Sequence, residues 1–253
     1  MLARRKLMTG LAGLPLAAVL ADPRLAALAA EGTEPVSITT KGGETVSGAI
    51  ALPAKTPAPA VLLIHEWWGL NDQIKTMAVE FAKEGYVALA VDLYGGSVAS
   101  SPDEAQALMQ SVDAEKATDT LVSWIDWLRA NSSVNGKVAT VGWCFGGGWA
   151  INAAIAAPVE ATVIYYGRLP QSARDVQPVK GPVLGHFAEQ DKFIDHPMVA
   201  GFEKAMKEAG KLLTVHWYDA DHAFANPTGA RYDEADAKTA WGRTLEFLKK
   251  TLG

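Results

Sequence analysis

The stretch VGWCFGGGW, Val141–Trp149, constrains the fold more than any other part of the sequence. Lys137–Val141 alternates apolar and small residues, as the end of a buried strand does, and Ala150–Ala157 favours a helix. Around Cys144 the residues read Gly-x-Cys-x-Gly, a pattern typical of a tight strand-to-helix turn that exposes a nucleophile. Glycine is needed on both sides because the backbone of the nucleophile is strained and a side chain would collide with neighbouring segments. The sequence therefore predicts a thiol raised above the edge of a sheet.

The predicted position of Cys144 suits nucleophilic chemistry. A helix that begins directly behind the cysteine points its free N–H groups and its positive dipole end at the sulfur, which favours thiolate over thiol. Such help is required near neutral pH because a free cysteine titrates at about 8.5. The alternative is a small buried apolar residue, which is the commoner role of a single cysteine. The glycine frame favours the nucleophile.

The composition limits the kinds of partner and cofactor. A chain of 253 residues with 49% hydrophobic and 20% charged residues fits one globular domain with a large core. The net charge of -5, without a basic and aromatic run, predicts no nucleic-acid partner. One cysteine and five histidines without HExxH spacing predict no metal site, and no organic cofactor is implied. We expect a monomer.

Residues 1–30 have the pattern of an export signal. Arg4-Arg5-Lys6 precedes the apolar stretch Leu7–Leu20, and Ala27-Leu28-Ala29 has the A-x-A form of a cleavage site. This order resembles a bacterial twin-arginine (Tat) signal, which implies contact with the Tat export machinery and a periplasmic enzyme. The alternative is an uncleaved membrane anchor, but the apolar stretch is shorter than the roughly 20 residues of a spanning helix. We therefore expect no stable membrane anchor.

Strand-like and helix-like segments alternate through residues 31–253, which form one predicted domain. The predicted strands are a hairpin, Val36–Thr40 with Thr45–Leu52, followed by Ala60–Ile64, Tyr86–Val91, Lys137–Val141, Ala161–Tyr166, Pro182–Ala188 and Leu212–Tyr218. The predicted helices are Asn71–Glu84, Pro102–Gln110, Ala114–Ala130, Ala150–Ala157, Pro197–Gly210 and Glu234–Leu252. This alternation predicts an α/β fold with a doubly wound, mostly parallel sheet and helices on both faces. Functional loops then meet at the carboxyl ends of the strands.

Two of these loops contain candidate partners for Cys144. The loop after Leu212–Tyr218 contains His222, and the loop after Pro182–Ala188 contains Asp191. The chain order Cys144, Asp191, His222 is that of α/β-hydrolase triads, in which histidine moves the proton and the acid orients it. Two alternatives remain. The orienting acid could be Glu189 or Asp195, and His222 could be an ordinary surface histidine.

Several motifs together resemble the dienelactone hydrolase (carboxymethylenebutenolidase) family, a cysteine-dependent branch of the α/β-hydrolases. They are the turn around Cys144, Asp191, and the segments His65-Glu66-Trp67-Trp68-Gly69, Asp92-Leu93-Tyr94, Tyr165-Tyr166-Gly167 and His222-Ala223-Phe224. The resemblance covers essentially residues 31–253. It implies an α/β-hydrolase fold and hydrolysis of a carboxylic ester or lactone through a thioester.

The resemblance also implies roles outside the triad. Glu66 is expected beside the resting thiol, where it takes the thiol proton when substrate binds. The backbone N–H groups of Trp67 and Phe145 are expected to form the oxyanion hole. Alternatively, Glu66 is a solvent-facing carboxylate.

Aromatic residues predict an apolar mouth for the site. We expect Trp68, Trp143 and Tyr166 to contact the substrate, and the alternative is that these rings pack the core.

The sequence departs from the family where the substrate carboxylate is bound. The family uses two arginines, and this chain has Gly95-Gly96 and Asn226 at the corresponding positions. Arg168 or Lys192 could reach the site from neighbouring loops, although each is more simply a surface charge. Because guanidinium is hard to replace in carboxylate binding, a neutral ester or lactone is expected rather than dienelactone. The alternatives are a non-catalytic ligand-binding homologue and a thiol enzyme of another type, such as an acyl transferase.

Overall fold

A computed structural model describes residues 16–253. The predicted Arg4-Arg5-Lys6 motif and the start of the apolar stretch lie outside these residues. Leu16–Ala21 (α1) and Pro23–Ala30 (α2) are short helices that pack on the domain. The Thr76 hydroxyl, for example, donates to the Ala26 carbonyl at 3.2 Å. Export of the protein stays a prediction. Between residues 16 and 253, no helix is long and apolar enough to cross a membrane.

One eight-stranded sheet organises the domain, in the order β1-β2-β4-β3-β5-β6-β7-β8. The strands are β1 Glu34–Thr39, β2 Thr45–Ala51, β3 Ala58–Ile64, β4 Val87–Val91, β5 Val134–Trp143, β6 Ala161–Tyr165, β7 Val183–Ala188 and β8 Leu213–Tyr218. The first two strands pair antiparallel, β2 is antiparallel to β4, and all other pairs are parallel. The predicted mostly parallel α/β-hydrolase sheet is confirmed, with the predicted hairpin at its edge.

Helices cover both faces of this sheet. They are α3 Asp72–Lys83, α4 Pro102–Ser111, α5 Ala114–Ala130, α6 Phe145–Ala156, α7 Ala173–Val176, α8 His196–Glu208 and α9 Glu234–Leu252. Because strand side chains alternate between faces, successive residues of β3 enter two separate cores. One core contains Trp124 of α5 and Phe202 of α8, and the other contains Phe81 of α3 and Leu248 of α9. The predicted two-faced arrangement is confirmed.

The glycine-rich turn is where the sequence pattern alone is weakest. A helix was expected directly behind Cys144, with Ala150–Ala157 as its helix-favouring part; α6 begins at Phe145, and β5 extends from Val134 to Trp143. Three successive glycines have poor helix propensity, so only the part from Ala150 carried a helix signal. Tertiary contacts outweigh propensity here, because α6 has to begin directly after the turn. The four-residue α7 was also missed.

Candidate active site

Cys144 occupies the sharp turn between β5 and α6. Its backbone has φ 53° and ψ -115°, a conformation that residues other than glycine rarely adopt. A Cβ at position 142 would collide with the Gly146 carbonyl, and one at position 146 would collide with the Ile64 carbonyl at the end of β3. Both glycines are therefore required for the close approach of α6 to the sheet. Cys144 is partly exposed.

The structure brings Cys144, His222 and Asp191 into one hydrogen-bonded chain. The Nε2 atom of His222 lies 3.2 Å from the Cys144 sulfur, and its Nδ1 atom lies 2.6 Å from Asp191 Oδ2. These residues follow β5, β8 and β7, so parallel strands deliver them to the same edge of the sheet. The other predicted acids lie elsewhere: Glu189 pairs with His196, and Asp195 caps α8.

The contacts of the second carboxylate oxygen of Asp191 determine which groups donate in this hydrogen-bonded chain. Asp191 Oδ1 accepts the backbone N–H groups of Phe193 at 2.7 Å and Ile194 at 3.0 Å. Burial would raise the pKa of Asp191, but the hydrogen bond and charge of His222, with these N–H groups, lower it below its usual value. An ionised carboxylate only accepts, so His222 donates from Nδ1 and a neutral imidazole presents an unprotonated Nε2 to the sulfur.

The surroundings of His222 favour its charged form. Burial alone would lower the pKa of His222, but hydrogen bonds to Asp191 and Cys144, together with the charges of both groups, raise it. An imidazolium beside the sulfur is the partner that a thiolate requires. The arrangement can therefore transfer the thiol proton to His222 and hold the resulting ion pair.

Glu66 is a buried carboxyl at the end of β3 that is held by neutral donors. The Tyr166 hydroxyl donates to Oε1 at 3.3 Å, and the Asn226 amide donates to Oε2. The carbonyl oxygen of Asn226 accepts both the N–H and the hydroxyl of Thr228, which orients the amide NH₂ toward Glu66. Burial raises the pKa of Glu66, and these two donors and the charges of His222 and Arg231 offset part of the rise.

The hydrogen bonds of Glu66 are made to residues other than Cys144. Its carboxylate bonds to Tyr166 and Asn226 and makes no hydrogen bond to Cys144. Sequence reasoning noted Asn226 only as the place of an absent arginine and missed its contact with Glu66. The only signal available was its position four residues after His222, in the same loop.

The two expected oxyanion-hole residues flank the turn. Phe145 is the first residue of α6, where N–H groups have no partner within the helix. Trp67 follows the end of β3, the strand paired directly with β5. The loop after β3 and the start of α6 therefore follow neighbouring strands at the same edge of the sheet.

The predicted substrate-contacting aromatics have different environments. Trp68 is partly exposed and lies with its ring 5.1 Å from that of Trp67. Trp143 is 4% exposed and stacks on Tyr165 as a core residue. Tyr166 is fully buried, with its ring 5.2 Å from the His222 ring. Trp68 is thus placed toward solvent, whereas Trp143 and Tyr166 belong to the packed base of the site.

Phe193 is a site residue that sequence reasoning missed. Its ring centroid lies 5.3 Å from that of His222, and the residue is 66% exposed. Its position two residues after Asp191 was the available signal. Arg168 and Lys192 are both exposed. Within residues 16–253, no group of three or more His, Cys, Asp or Glu side chains is arranged to hold a metal ion.

Comparisons with known proteins identify the family of this chain. The model of the dienelactone hydrolase family matches residues 46–252. The carboxymethylenebutenolidase of Pseudomonas putida is 34% identical over 231 residues, which cover 85% of this chain and 96% of that protein. Protein usf of Aquifex pyrophilus is 35% identical over 224 residues, covering 84% and 96%.

Solved structures show the same fold. A dienelactone hydrolase-like promiscuous phosphotriesterase from metagenomic libraries superposes with a TM-score of 0.79 at 24% identity, covering 88% of this chain and all of that one. Native esterase 2 of Thermogutta terrifontis superposes with a TM-score of 0.64 at 18% identity, covering 87% and 93%. At these identities the likeness concerns the fold.

Proposed function

The chain belongs to the dienelactone hydrolase family, and we propose that it hydrolyses carboxylic esters or lactones through a thioester on Cys144. The observation that supports this most directly is the hydrogen-bonded chain from the Cys144 sulfur through His222 to Asp191. A nucleophile, a base and an orienting acid in this order are the minimum set for acyl transfer.

Acylation begins with transfer of the thiol proton and attack of the sulfur on the carbonyl carbon. His222 holds the proton, and the N–H groups of Phe145 and Trp67 stabilise the negative oxygen of the tetrahedral intermediate. When the C–O bond breaks, His222 gives the proton to the leaving alkoxide, which departs as an alcohol. Water then attacks the thioester with His222 as base, and the carboxylic acid and the thiol are regenerated.

Glu66 is the proposed activator of the thiol. Its burial raises its pKa, so its carboxylate is a stronger base than one in water. The uncharged donors Tyr166 and Asn226 and the charges of His222 and Arg231 favour the ionised carboxylate, but burial outweighs them. We propose that bound substrate moves Glu66 from these donors to the thiol, where it takes the thiol proton and passes it to the unprotonated Nε2 of His222. The one proton lost by the thiol is then the proton that His222 gives to the leaving alkoxide. Glu66→Gln then lowers kcat by about 10²-fold or more while the fold is kept.

The proposed substrate is uncharged. Gly95-Gly96 and Asn226 stand where the family arginines bind a carboxylate, and the Asn226 amide is occupied by Glu66 and Thr228. The partly exposed rings of Trp67 and Trp68 suit an apolar group. We therefore propose neutral esters and lactones rather than dienelactone.

A substrate panel with one matched pair of enzymes tests the function. The parent and Cys144→Ala are compared on p-nitrophenyl acetate, a neutral lactone and a lactone carrying a carboxylate. We expect the neutral substrates to be cleaved and the variant to lose at least about 10³-fold in kcat/KM. Equal rates for parent and variant contradict the mechanism, and preference for the carboxylate contradicts the substrate class. Ligand binding without turnover by the parent supports the alternative of a binding homologue.

We further propose that residues 1–30 direct the enzyme through the Tat machinery to the periplasm. The support is the Arg4-Arg5-Lys6 motif, the apolar stretch and the Ala27-Leu28-Ala29 site. We also propose that the enzyme is a monomer and that it has neither a nucleic-acid partner nor a stable membrane anchor.

A further inference from the structure

Phe193 is a large apolar side chain that is exposed directly at the catalytic histidine. It is 66% exposed, and its ring meets the ring of His222 edge to face, with centroids 5.3 Å apart and planes 71° apart. A single exposed apolar residue on a protein surface needs no explanation. An exposed aromatic ring in contact with the base of the proposed reaction is placed where substrate arrives.

The backbone of Phe193 is held by the same carboxylate that orients His222. Its N–H donates to Asp191 Oδ1 at 2.7 Å, and the other oxygen of Asp191 bonds to His222. The backbone that carries the ring is therefore anchored relative to the base. Ile194, the next residue, is buried.

The orientation of the substrate in the proposed reaction determines which part of it meets this ring. The carbonyl oxygen points to the N–H groups of Phe145 and Trp67, which belong to the side of β3 and α6. The leaving oxygen takes its proton from His222, so the alcohol part extends over the loops that follow β7 and β8. Phe193 belongs to the first of these loops.

We infer that Phe193 forms an apolar subsite for the alcohol part of the ester, so the enzyme favours esters of bulky apolar or aromatic alcohols. This inference rests on the proposed function and adds the substrate class to it. A flat aromatic group can lie against the exposed ring and remove its surface from water. A methyl group is too small to cover the ring.

Two series of esters separate this subsite from other roles of the residue. In the first, acetates of methanol, butanol and benzyl alcohol vary the alcohol, and in the second, methyl esters from acetate to hexanoate vary the acyl chain. Parent, Phe193→Ala, Phe193→Leu and Leu212→Ala are compared. Leu212 is 73% exposed and precedes β8, at the opposite end of the strand from His222, so it is a matched control.

We expect Phe193→Ala to lower kcat/KM about tenfold for benzyl acetate, mainly through KM, and less than about twofold for methyl acetate. Phe193→Leu restores part of the loss, and Leu212→Ala changes nothing. An equal loss for every ester assigns Phe193 to the positioning of His222 and overturns the inference. So does a loss that follows the acyl series. A parent that cleaves no ester overturns the proposed function itself, which distinguishes the two failures.

Discussion

At the scale of single residues, the site depends on which groups donate and which accept. Asp191 receives two backbone N–H groups on one oxygen and His222 on the other, so the histidine has one defined orientation. Asn226 is likewise oriented by Thr228 before it meets Glu66. The two carboxyls thus differ in environment. Asp191 is stabilised as an anion, whereas the burial of Glu66 favours its protonated form.

The burial of Glu66 predicts a change of stability with pH. Because its pKa is raised in the folded state above the usual 4.5, the folded protein binds the proton more tightly than the unfolded chain. This contribution is fully present below pH 4.5 and is lost as pH rises through the folded-state pKa. Glutamine at position 66 does not titrate, so the stability of the Glu66→Gln variant has no such contribution to lose as pH rises. We therefore expect the variant to gain free energy of unfolding relative to the parent between acidic and mildly alkaline pH, measured by urea unfolding.

The control for this measurement is Glu203→Gln, an exposed residue of α8. It removes one carboxylate and leaves Glu66 in place, so the pH dependence of Glu66→Gln is compared with it. A Glu66→Gln difference that does not vary with pH would show that burial does not raise the pKa of this carboxyl.

Some of the site residues could be predicted from the sequence, and others could not. Asp191 and His222 could be predicted because chain order and strand-end position select them. The bond between Asn226 and Glu66 joins residues 160 positions apart, and no local pattern encodes it. The exposure of Phe193 depends on how its loop folds over His222, which the sequence alone does not express.

At the scale of elements, the turn after β5 is the part that we expect to tolerate substitution least. A side chain at position 146 would enter the carbonyl groups of Ile64 and His65, which are backbone atoms that cannot move independently of the sheet. We expect Gly146→Ala to lower the free energy of unfolding by about 3 kcal/mol or more. The measurement is chemical denaturation followed by circular dichroism.

Gly242 provides the matched control within α9. A Cβ at this position meets nothing within 4 Å. Because alanine favours helix over glycine, Gly242→Ala should raise stability by about 0.5–1 kcal/mol. If both substitutions have the same effect, close backbone approach is not the reason for the glycine at the turn.

The predicted elements agree with the structure where pattern and packing point the same way. The helix Ala114–Ala130 has the predicted bounds, because its apolar stripe and its Asp113 cap mark the same start. The first turn of α6 carries no helix signal in the sequence, because a tertiary requirement for glycine opposes helix propensity there. The remaining differences lie mainly at element ends, where fraying and capping determine the last residues.

At the scale of the whole molecule, strand order assembles the site. β5 lies at the centre of the sheet beside β3, which places Cys144 between the loops that carry Trp67 and those that carry Asp191 and His222. Alternation of strands and helices was sufficient to predict a parallel sheet with its site at the carboxyl ends. The exact order was not predicted from alternation, since several crossovers satisfy the same pattern.

Export to the periplasm is a prediction about the molecule as a whole. If residues 1–30 are a Tat signal, the periplasmic protein should lack them, and substitution of Arg4 and Arg5 by lysine should retain the full-length chain in the cytoplasm. Intact mass of the protein from each fraction measures both outcomes. Lys6→Arg serves as the control with unchanged charge. Full-length protein in the periplasm, or unchanged export of the double variant, contradicts the prediction.

The formation of a covalent acyl group on Cys144 tests the central claim most directly. The parent is mixed with p-nitrophenyl acetate, quenched in acid within the first turnovers and analysed by intact mass and peptide mapping. We predict one acetyl group on Cys144 that hydroxylamine removes, and none on Cys144→Ala. An acetyl group on another residue, or equal hydrolysis by Cys144→Ala without an adduct, would contradict the thioester mechanism.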